Sequence, residues 1–308
     1  MTTSNQPFDV AAFYHFARLP GFREMREPVL ALMKREGIRG SVLLAEEGVN
    51  GTISGKPEAL ARALAGLKAI TGIEKLDHKL SHAAALPFKR MKVRLKKEIV
   101  TIGPVKADPT ERVGQYVAPE DWNALISEPG TIVLDTRNSY EYRVGSFANA
   151  IDPHTDSFGE FPAFVRETLK ADPKAKIAMF CTGGIRCEKA SSFMLYEGYE
   201  NVFHLKGGIL KYLEVIPADK SLWQGECYVF DERVSVGHGL VPGDWTICHG
   251  CLDPVSAEER GSPLYEEGVC CPACAHKLSE DQKASNRERQ RQVEIAAQRG
   301  SRHLGQRA

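Results

Sequence analysis

Phe180-Cys181-Thr182-Gly183-Gly184-Ile185-Arg186-Cys187 is the stretch on which the reading of this chain turns. An apolar run over 176–180, the spacing of a strand, leads straight into a cysteine. Two glycines and an arginine follow, and then an apolar set at helical spacing begins with Cys187, Ala190, Ser191, Met194 and Leu195. Cys181 therefore sits at a strand-to-helix turn with a glycine-rich backbone wrapped behind it. Such a turn lets several backbone N–H groups converge on one point, and the helix N-terminus adds positive potential there. Both effects lower a thiol pKa and favour the thiolate, the form that reacts. A buried structural cysteine at a strand end is the alternative; strand, Gly-Gly, arginine and helix occurring together favour the reactive one.

The loop resembles the active-site loop of the rhodanese family. Four residues separate Cys181 from Arg186, giving a six-residue cradle, whereas rhodanese-fold phosphatases carry one residue more. By that resemblance the cradle is sized for sulfur or another small group. Leu134-Asp135-Thr136-Arg137-Asn138-Ser139-Tyr140-Glu141-Tyr142 looks like the family's strand-end Asp-x-Arg…Glu signature. Residues 198–209, ending in Gly207-Gly208-Ile209, look like its closing strand and Gly-Gly turn. One departure is that the usual Gly-His after the acidic helix start reads Gly145-Ser146. The resemblance implies that Asp135 and Arg137 support the loop, and that Arg186 closes the cradle and favours negative charge near the sulfur. Cys187 is either a partner that resolves an oxidised Cys181 or, from its apolar helix position, a packing residue.

Working outward, the 308 residues allow two domains and an extension. Forty basic side chains balance forty acidic ones, so a basic surface for a polyanion has to be local. Eight cysteines are too few for a disulfide scaffold of this length, and a catalytic cysteine suits a reducing compartment. The start, Met1-Thr2-Thr3-Ser4-Asn5-Gln6-Pro7, lacks the charge and apolar core of a signal peptide. No apolar run reaches membrane-spanning length. The expectation is a soluble cytoplasmic protein with no membrane association.

The expected domains are 1–103, a linker at 104–118, the rhodanese-like unit at 119–222, a Cys-rich extension at 223–278 and a polar basic tail at 279–308. The first domain reads as a strand over 10–16 and a helix over 22–36 stopped by Gly37. A hairpin over 41–45 and 49–54 follows, then a helix with Leu60, Leu64 and Leu67 on one face, then strands over 75–80 and 91–97. That order is ferredoxin-like α+β in outline. Strands over 131–134, 176–180 and 202–205 alternate with helices over 161–169 and 188–197 in the central unit, predicting an α/β domain with a parallel sheet. Cys181 then lies at a strand's carboxyl end, where open α/β sheets place their sites.

Three further patterns carry chemistry. Arg90, Lys92, Arg94 and Lys96 alternate with Met91, Val93 and Leu95, which puts four cations on one strand face, near His78 and His82 in sequence. Such a row is either a protected sheet edge or a phosphate-contacting surface for nucleic acid. Cys248-His249-Gly250-Cys251 and Cys271-Pro272-Ala273-Cys274 are paired C-x-x-C knuckles nineteen residues apart, a spacing that predicts a closed structural zinc site. A metal-free thiol cluster and a redox dithiol compete with it, and Cys270 and His249 are possible substitute ligands. His154 and Asp156 carry part of a two-His-one-carboxylate iron pattern, although a capping or turn role explains them as well. The tail has seven Lys or Arg against four acids. It reads as helical through Ala297 and frayed after Gly300. Arg287, Arg291 and Arg299 either meet a phosphate backbone or belong to a solvated disordered segment, the reading the composition favours.

Taken together, the segments Glu47-Gly48-Val49-Asn50-Gly51-Thr52, Phe88-Lys89-Arg90-Met91-Lys92-Val93-Arg94, Glu98-Ile99-Val100, the Cys181 loop and the cysteine-rich tail resemble the bacterial rhodanese-like tRNA uridine hydroxylase family over nearly the whole chain. The resemblance implies 5-hydroxylation of the wobble uridine, position 34, of tRNA, with molecular oxygen as co-substrate and Cys181 as the essential cysteine. Cys181 would act as a nucleophile on uridine or as a persulfide carrier. It also strengthens the RNA-binding reading of Arg90, Lys92, Arg94 and Lys96. No flavin or nicotinamide fingerprint and no protein partner are legible. Two other functions remain open from sequence: a rhodanese-type sulfurtransferase working through a Cys181 persulfide, and a non-catalytic RNA-binding or scaffold protein, disfavoured by the intact loop.

Overall fold

The computed structural model describes residues 7–299. The expectations for the first six residues and for the stretch after Gly300 fall outside them.

The N-terminal domain is built from β1 (Phe8–Phe16), α1 (Arg26–Arg35), β2 (Arg39–Ala45), β3 (Gly48–Gly55), α2 (Pro57–Thr71), β4 (His78–Ala83) and β5 (Met91–Leu95). Sheet order is β4-β1-β3-β2-β5, antiparallel except that β5 runs parallel to β2. β5 is thus a fifth strand added at the edge of the four-strand ferredoxin-like pattern. Two expected starts move by three residues or more. α1 starts four residues late because residues 20–25 form successive turns, and β4 starts at His78 because Ile73 and Leu76 first dive into the core. Pro57 opens α2 and Gly72, in a left-handed conformation, closes it.

Leu60, Leu64 and Leu67 of α2 and Val29, Leu32 and Met33 of α1 pack on the sheet face formed by Phe13, Val42, Leu44, Val49, Ile53 and Val93. Each such aliphatic side chain contributes about 1.5–3 kcal/mol by leaving water. The period of two leaves the other face without a helix. Two register rows cross that face: Lys79-Ala12-Thr52-Ser41-Lys92 and Tyr14-Asn50-Leu43-Arg94.

The central domain adds β6 (Gln115–Val117), α3 (Pro119–Ser127), β7 (Ile132–Asp135), α4 (Ser139–Val144), β8 (Gly145–Phe147) and α5 (Phe161–Ala163), the last flanked by a 3-10 turn and a π turn. It continues with β9 (Lys176–Phe180), α6 (Ile185–Tyr196), β10 (Asn201–Leu205) and α7 (Gly208–Val215). The sheet order β6-β10-β9-β7 is wholly parallel, as the alternation of strands and helices predicts. Helix α6 begins at Ile185, three residues earlier than expected, so Arg186 and Cys187 lie in its first turn. An aromatic group of Trp122, Phe147, Phe180, Tyr212 and Trp223 fills one side of the sheet.

Beyond it come β11 (Trp223–Gly225), β12 (Cys227–Tyr228), β13 (Ser235–Val236), β14 (Thr246–Ile247), β15 (Pro254–Val255), α8 (Ala257–Arg260) and α9 (Glu280–Gln298). β11 pairs with β8, and Cys227, Val229, Val236 and Leu240 join the aromatic core. The segment following residue 222 is therefore packed into the central domain before the C-x-x-C module begins. α9 is helical, as the sequence reads through Ala297, but it is packed on the preceding module rather than solvated: Ser279 and Gln282 form a capping box, Asn286 donates to the carbonyl of Val269, and Arg289 donates to those of His249 and Gly268. No helix among the described residues is long and apolar enough to cross a membrane.

Candidate active site and metal centre

Cys181 follows β9 and its loop runs into α6. Gly184 N–H donates to the Cys181 sulfur at 3.1 Å. Gly184 has φ +109°, and a Cβ there would lie 2.6 Å from the Tyr14 hydroxyl, so both conformation and space require glycine. A Cβ on Gly208 would lie 2.5 Å from the Cys181 carbonyl oxygen, which explains the second Gly-Gly turn. Burial alone would raise the Cys181 thiol. The hydrogen bond from the Cys187 thiol, the positive charge of Arg186 and the N–H groups of Cys187 and Gly184 outweigh it and bring Cys181 from 9.0 to about 5. Burial and the same sulfur–sulfur contact push Cys187 well above its usual value, so Cys187 keeps the proton of the pair. Cys187 is thus packed in the core, as its apolar helix position suggests, and its thiol donates a hydrogen bond to the Cys181 sulfur.

Arg186 differs from the expectation in where its hydrogen bonds go. They run to both oxygens of Glu141, at 2.6 and 2.7 Å, and to Thr182 Oγ1, at 3.3 Å. Its charge acts on Cys181 through space. Asp135 and Arg137 form a wholly buried ion pair at 2.6 Å, and Arg137 also donates to the Gly145 carbonyl. Both brace the support beneath the loop, as their position in the signature implies.

The helix-free face of the N-terminal sheet closes over this loop. Tyr14 donates to Glu188 Oε1 at 2.7 Å, and Lys79 Nζ donates to the Gly183 carbonyl at 2.6 Å. Lys189 of α6, with 2% of its side chain exposed, donates to both oxygens of Glu47 at 2.8 Å and also binds Glu98. Between the domains lies a cavity of about 440 Å³, lined among others by Cys181, Arg186, Lys79, Tyr14, Phe88 and Phe230. Cys181 is buried, and it stands among the residues that line this cavity. Burial, then the Cys181 charge, raises the Glu188 carboxyl against the pull of the Tyr14 and Tyr116 hydroxyls.

Residues 8–99 match the family described as the UPF0176 acylphosphatase like domain, and residues 118–214 match the Rhodanese-like domain. A Rhizobium etli protein named tRNA uridine(34) hydroxylase is 54% identical over 97% of this chain and 97% of its own length. One of the same name from Mesorhizobium japonicum is 55% identical over 98% of each. The chain belongs to the tRNA uridine(34) hydroxylase family. A solved rhodanese-like domain from Anabaena sp. overlaps 36% of this chain and 78% of that one, at 19% identity and a TM-score of 0.30.

In this member of the tRNA uridine(34) hydroxylase family, Cys248, Cys251, Cys271 and Cys274 converge, with sulfur atoms all within 4.8 Å of one another. The Cys248–Cys274, Cys251–Cys271 and Cys271–Cys274 separations are 3.7, 3.7 and 3.8 Å. A tetrahedron with metal–sulfur bonds of about 2.3 Å has edges of about 3.8 Å. The four thiols could therefore hold a metal ion, and they fit it closely. The two substitute ligands fall outside: Cys270 donates to the Leu264 carbonyl, and His249 is not in the cluster.

The cation row lies on β5 with Val93 buried beneath it, while Arg90 and Lys96 stand just beyond the strand's two ends. His78 and His82, its neighbours in sequence, are on β4 at the opposite edge of the sheet. Lys92 and Arg94 share the helix-free face with the cavity-lining Ser41 and Leu43. His154 is exposed and 3.2 Å from Asp152, and Asp156 accompanies no second histidine in any metal-ligand cluster among the described residues. Arg287 and Arg291, candidate phosphate contacts, are paired with Glu266 and Glu288. Sequence reasoning missed Tyr14, Lys79, Glu188 and Lys189. The signal for Lys189 was a lysine among the apolar positions of α6, with Glu47 and Glu98 as partners inside the two family segments.

Proposed function

We propose that this protein hydroxylates C5 of uridine 34 in tRNA, in the cytoplasm, with Cys181 as its reactive group and molecular oxygen as co-substrate. The observation that carries this reading is the Cys181 thiolate lying against the cavity between two domains, in a chain whose relatives bear the name of that activity. A cavity of about 440 Å³ suits a single flipped-out nucleoside. Addition of the thiolate to C6 forms one C–S bond and moves an electron pair towards C5 and O4, making C5 electron-rich. One oxygen atom then goes to C5. The other leaves as water, with two electrons and two protons from a thiol-class reductant. Loss of the C5 proton and expulsion of Cys181 restore the ring. The relatives' names do not favour the sulfurtransferase alternative.

Arg90, Lys92, Arg94 and Lys96 would hold the phosphate backbone, on the face that leads to the cavity. The metal held by Cys248, Cys251, Cys271 and Cys274 would be zinc in a structural role, since four thiolates leave no open position for substrate. The test is the 5-hydroxyuridine content of tRNA from a strain lacking this gene, complemented with wild type or Cys181→Ser. Restoration by both would reject Cys181 as the reactive group, and restoration by neither would reject the activity.

A further inference from the structure

The peptide unit joining Gly183 to Gly184 is gripped from both sides. Its N–H, on Gly184, donates to the Cys181 sulfur at 3.1 Å, and its C=O, on Gly183, accepts from Lys79 Nζ at 2.6 Å. A trans peptide is planar, with C=O and N–H directed to opposite sides. A cation fastened to the oxygen therefore fixes the direction of the N–H and polarises it into a stronger donor. Lys79 is 104 residues away in sequence and stands on β4, the edge strand of the other domain. We propose that Lys79 is a positioning residue for the Cys181 thiolate, holding the Gly183–Gly184 peptide so that its N–H stays on the sulfur. The acylphosphatase-like domain is then part of the reactive centre as well as a surface for RNA. The proposal rests on the reading of Cys181 as the reactive thiolate.

The surroundings of the two groups are consistent with this. Cys181 is faced by Arg186, Cys187 and Glu188 of α6, by Tyr14 of β1 and by Lys79 of β4. Arg186 is already committed to Glu141, which leaves Lys79 as the cation bonded to the loop's own backbone. Burial draws the Lys79 ammonium down, and Cys181, Glu188, Asp77 and Glu214 hold it up. Its stem packs beside Gly207 and its ammonium lies 5.6 Å from the centre of the Tyr14 ring, so the side chain has little freedom to swing away.

A lysine that merely docked two domains would affect stability and leave the thiol alone, so the readout is the thiol. The rate of iodoacetamide labelling at Cys181 is followed against pH in the full-length protein, by mass spectrometry of the Cys181 peptide, for wild type, Lys79→Met, Lys79→Arg and Lys34→Met. Lys34 lies on α1, behind the sheet. The wild type should label with a midpoint well below that of a free thiol. Lys79→Met should move the midpoint up by about one unit, about tenfold less thiolate at pH values below it. Lys79→Arg should recover most of the shift, and Lys34→Met should match wild type. Should Lys79→Met fail to fold, Lys79→Gln removes the same charge and is read in its place. A low wild-type midpoint shared by the neutral variant overturns the role of Lys79 alone. An ordinary midpoint in wild type overturns the thiolate reading itself, and the proposal with it.

Discussion

Arg186 gives both terminal nitrogens of its guanidinium to the carboxylate of Glu141, at 2.6 and 2.7 Å, with Glu141 fully buried and Arg186 nearly so. Forty-five residues apart in sequence, the two lock the cradle of α6 to the helix that follows β7. Burial alone would raise the Glu141 carboxyl; Arg186, and then Arg137, hold it below the usual range. Removing the carboxylate leaves a buried guanidinium without its partner. Glu141→Ala should therefore cost about 3–5 kcal/mol in urea unfolding. A loss under about 1 kcal/mol, with the fold intact, would show that water or another acceptor replaces the carboxylate.

Cys181→Ser should abolish 5-hydroxyuridine formation with little change in tRNA affinity, because a serine hydroxyl stays protonated and no histidine lies in the loop to activate it. Arg186→Ala should fall between this variant and wild type. Cys187→Ala should slow the reaction by removing the thiol that donates to Cys181, whereas Cys187→Ser, which keeps a donor, should cost less. Hydroxylated uridine per tRNA at matched protein levels gives the order.

The Cys181 thiolate also carries a pH signature. Its pKa is depressed in the folded state, so its contribution to stability is fully present above the unfolded value near 9 and is lost as pH falls towards about 5. The difference in unfolding free energy between wild type and Cys181→Ser should thus shrink steadily from pH 8.5 to pH 5. A difference independent of pH would mean that Cys181 is protonated throughout.

Metal analysis of protein purified without chelator should find about one zinc per chain. Stripping it should loosen residues 246–278 and release α9, whose Arg289 and Asn286 are bonded to carbonyls of that module. Hydrogen exchange should rise there and stay low in β7, β9 and β10. Metal-free protein with the same exchange pattern as untreated protein would reject the structural role.

Changing Lys92 and Arg94 to Ala should weaken tRNA binding and flatten its salt dependence by roughly one slope unit for each phosphate no longer neutralised. Iodoacetamide labelling at Cys181 should not change, since the β4 and β5 edges lie four strand spacings apart, about 19 Å. Affinity and salt slope equal to wild type would leave β5 as no more than a protected edge.

What the sequence determined by itself was whatever depends on neighbours along the chain. A strand, a cysteine, two glycines and a helix start fix the cradle because a turn of that length has few conformations open to it, and two C-x-x-C knuckles fix four thiols for the same reason. The alternation along β5 likewise placed Val93 beneath and the cations outside. Tertiary structure alone decided which face of the N-terminal sheet meets the loop. Period-two alternation separates two faces without saying what either covers, so nothing near Lys79 or Tyr14 announces a partner more than a hundred residues away. The same docking buried Lys189 between Glu47 and Glu98, while the strand order of the N-terminal sheet put His78 and His82 on the edge opposite the β5 row they adjoin in sequence. Within the C-terminal segment, the helix of the basic tail, expected to be solvated, packs on a module that accepts its side chains. The contacts of Tyr14, Lys79 and Lys189 join segments distant along the chain, and their geometry exists only once both domains have folded and packed.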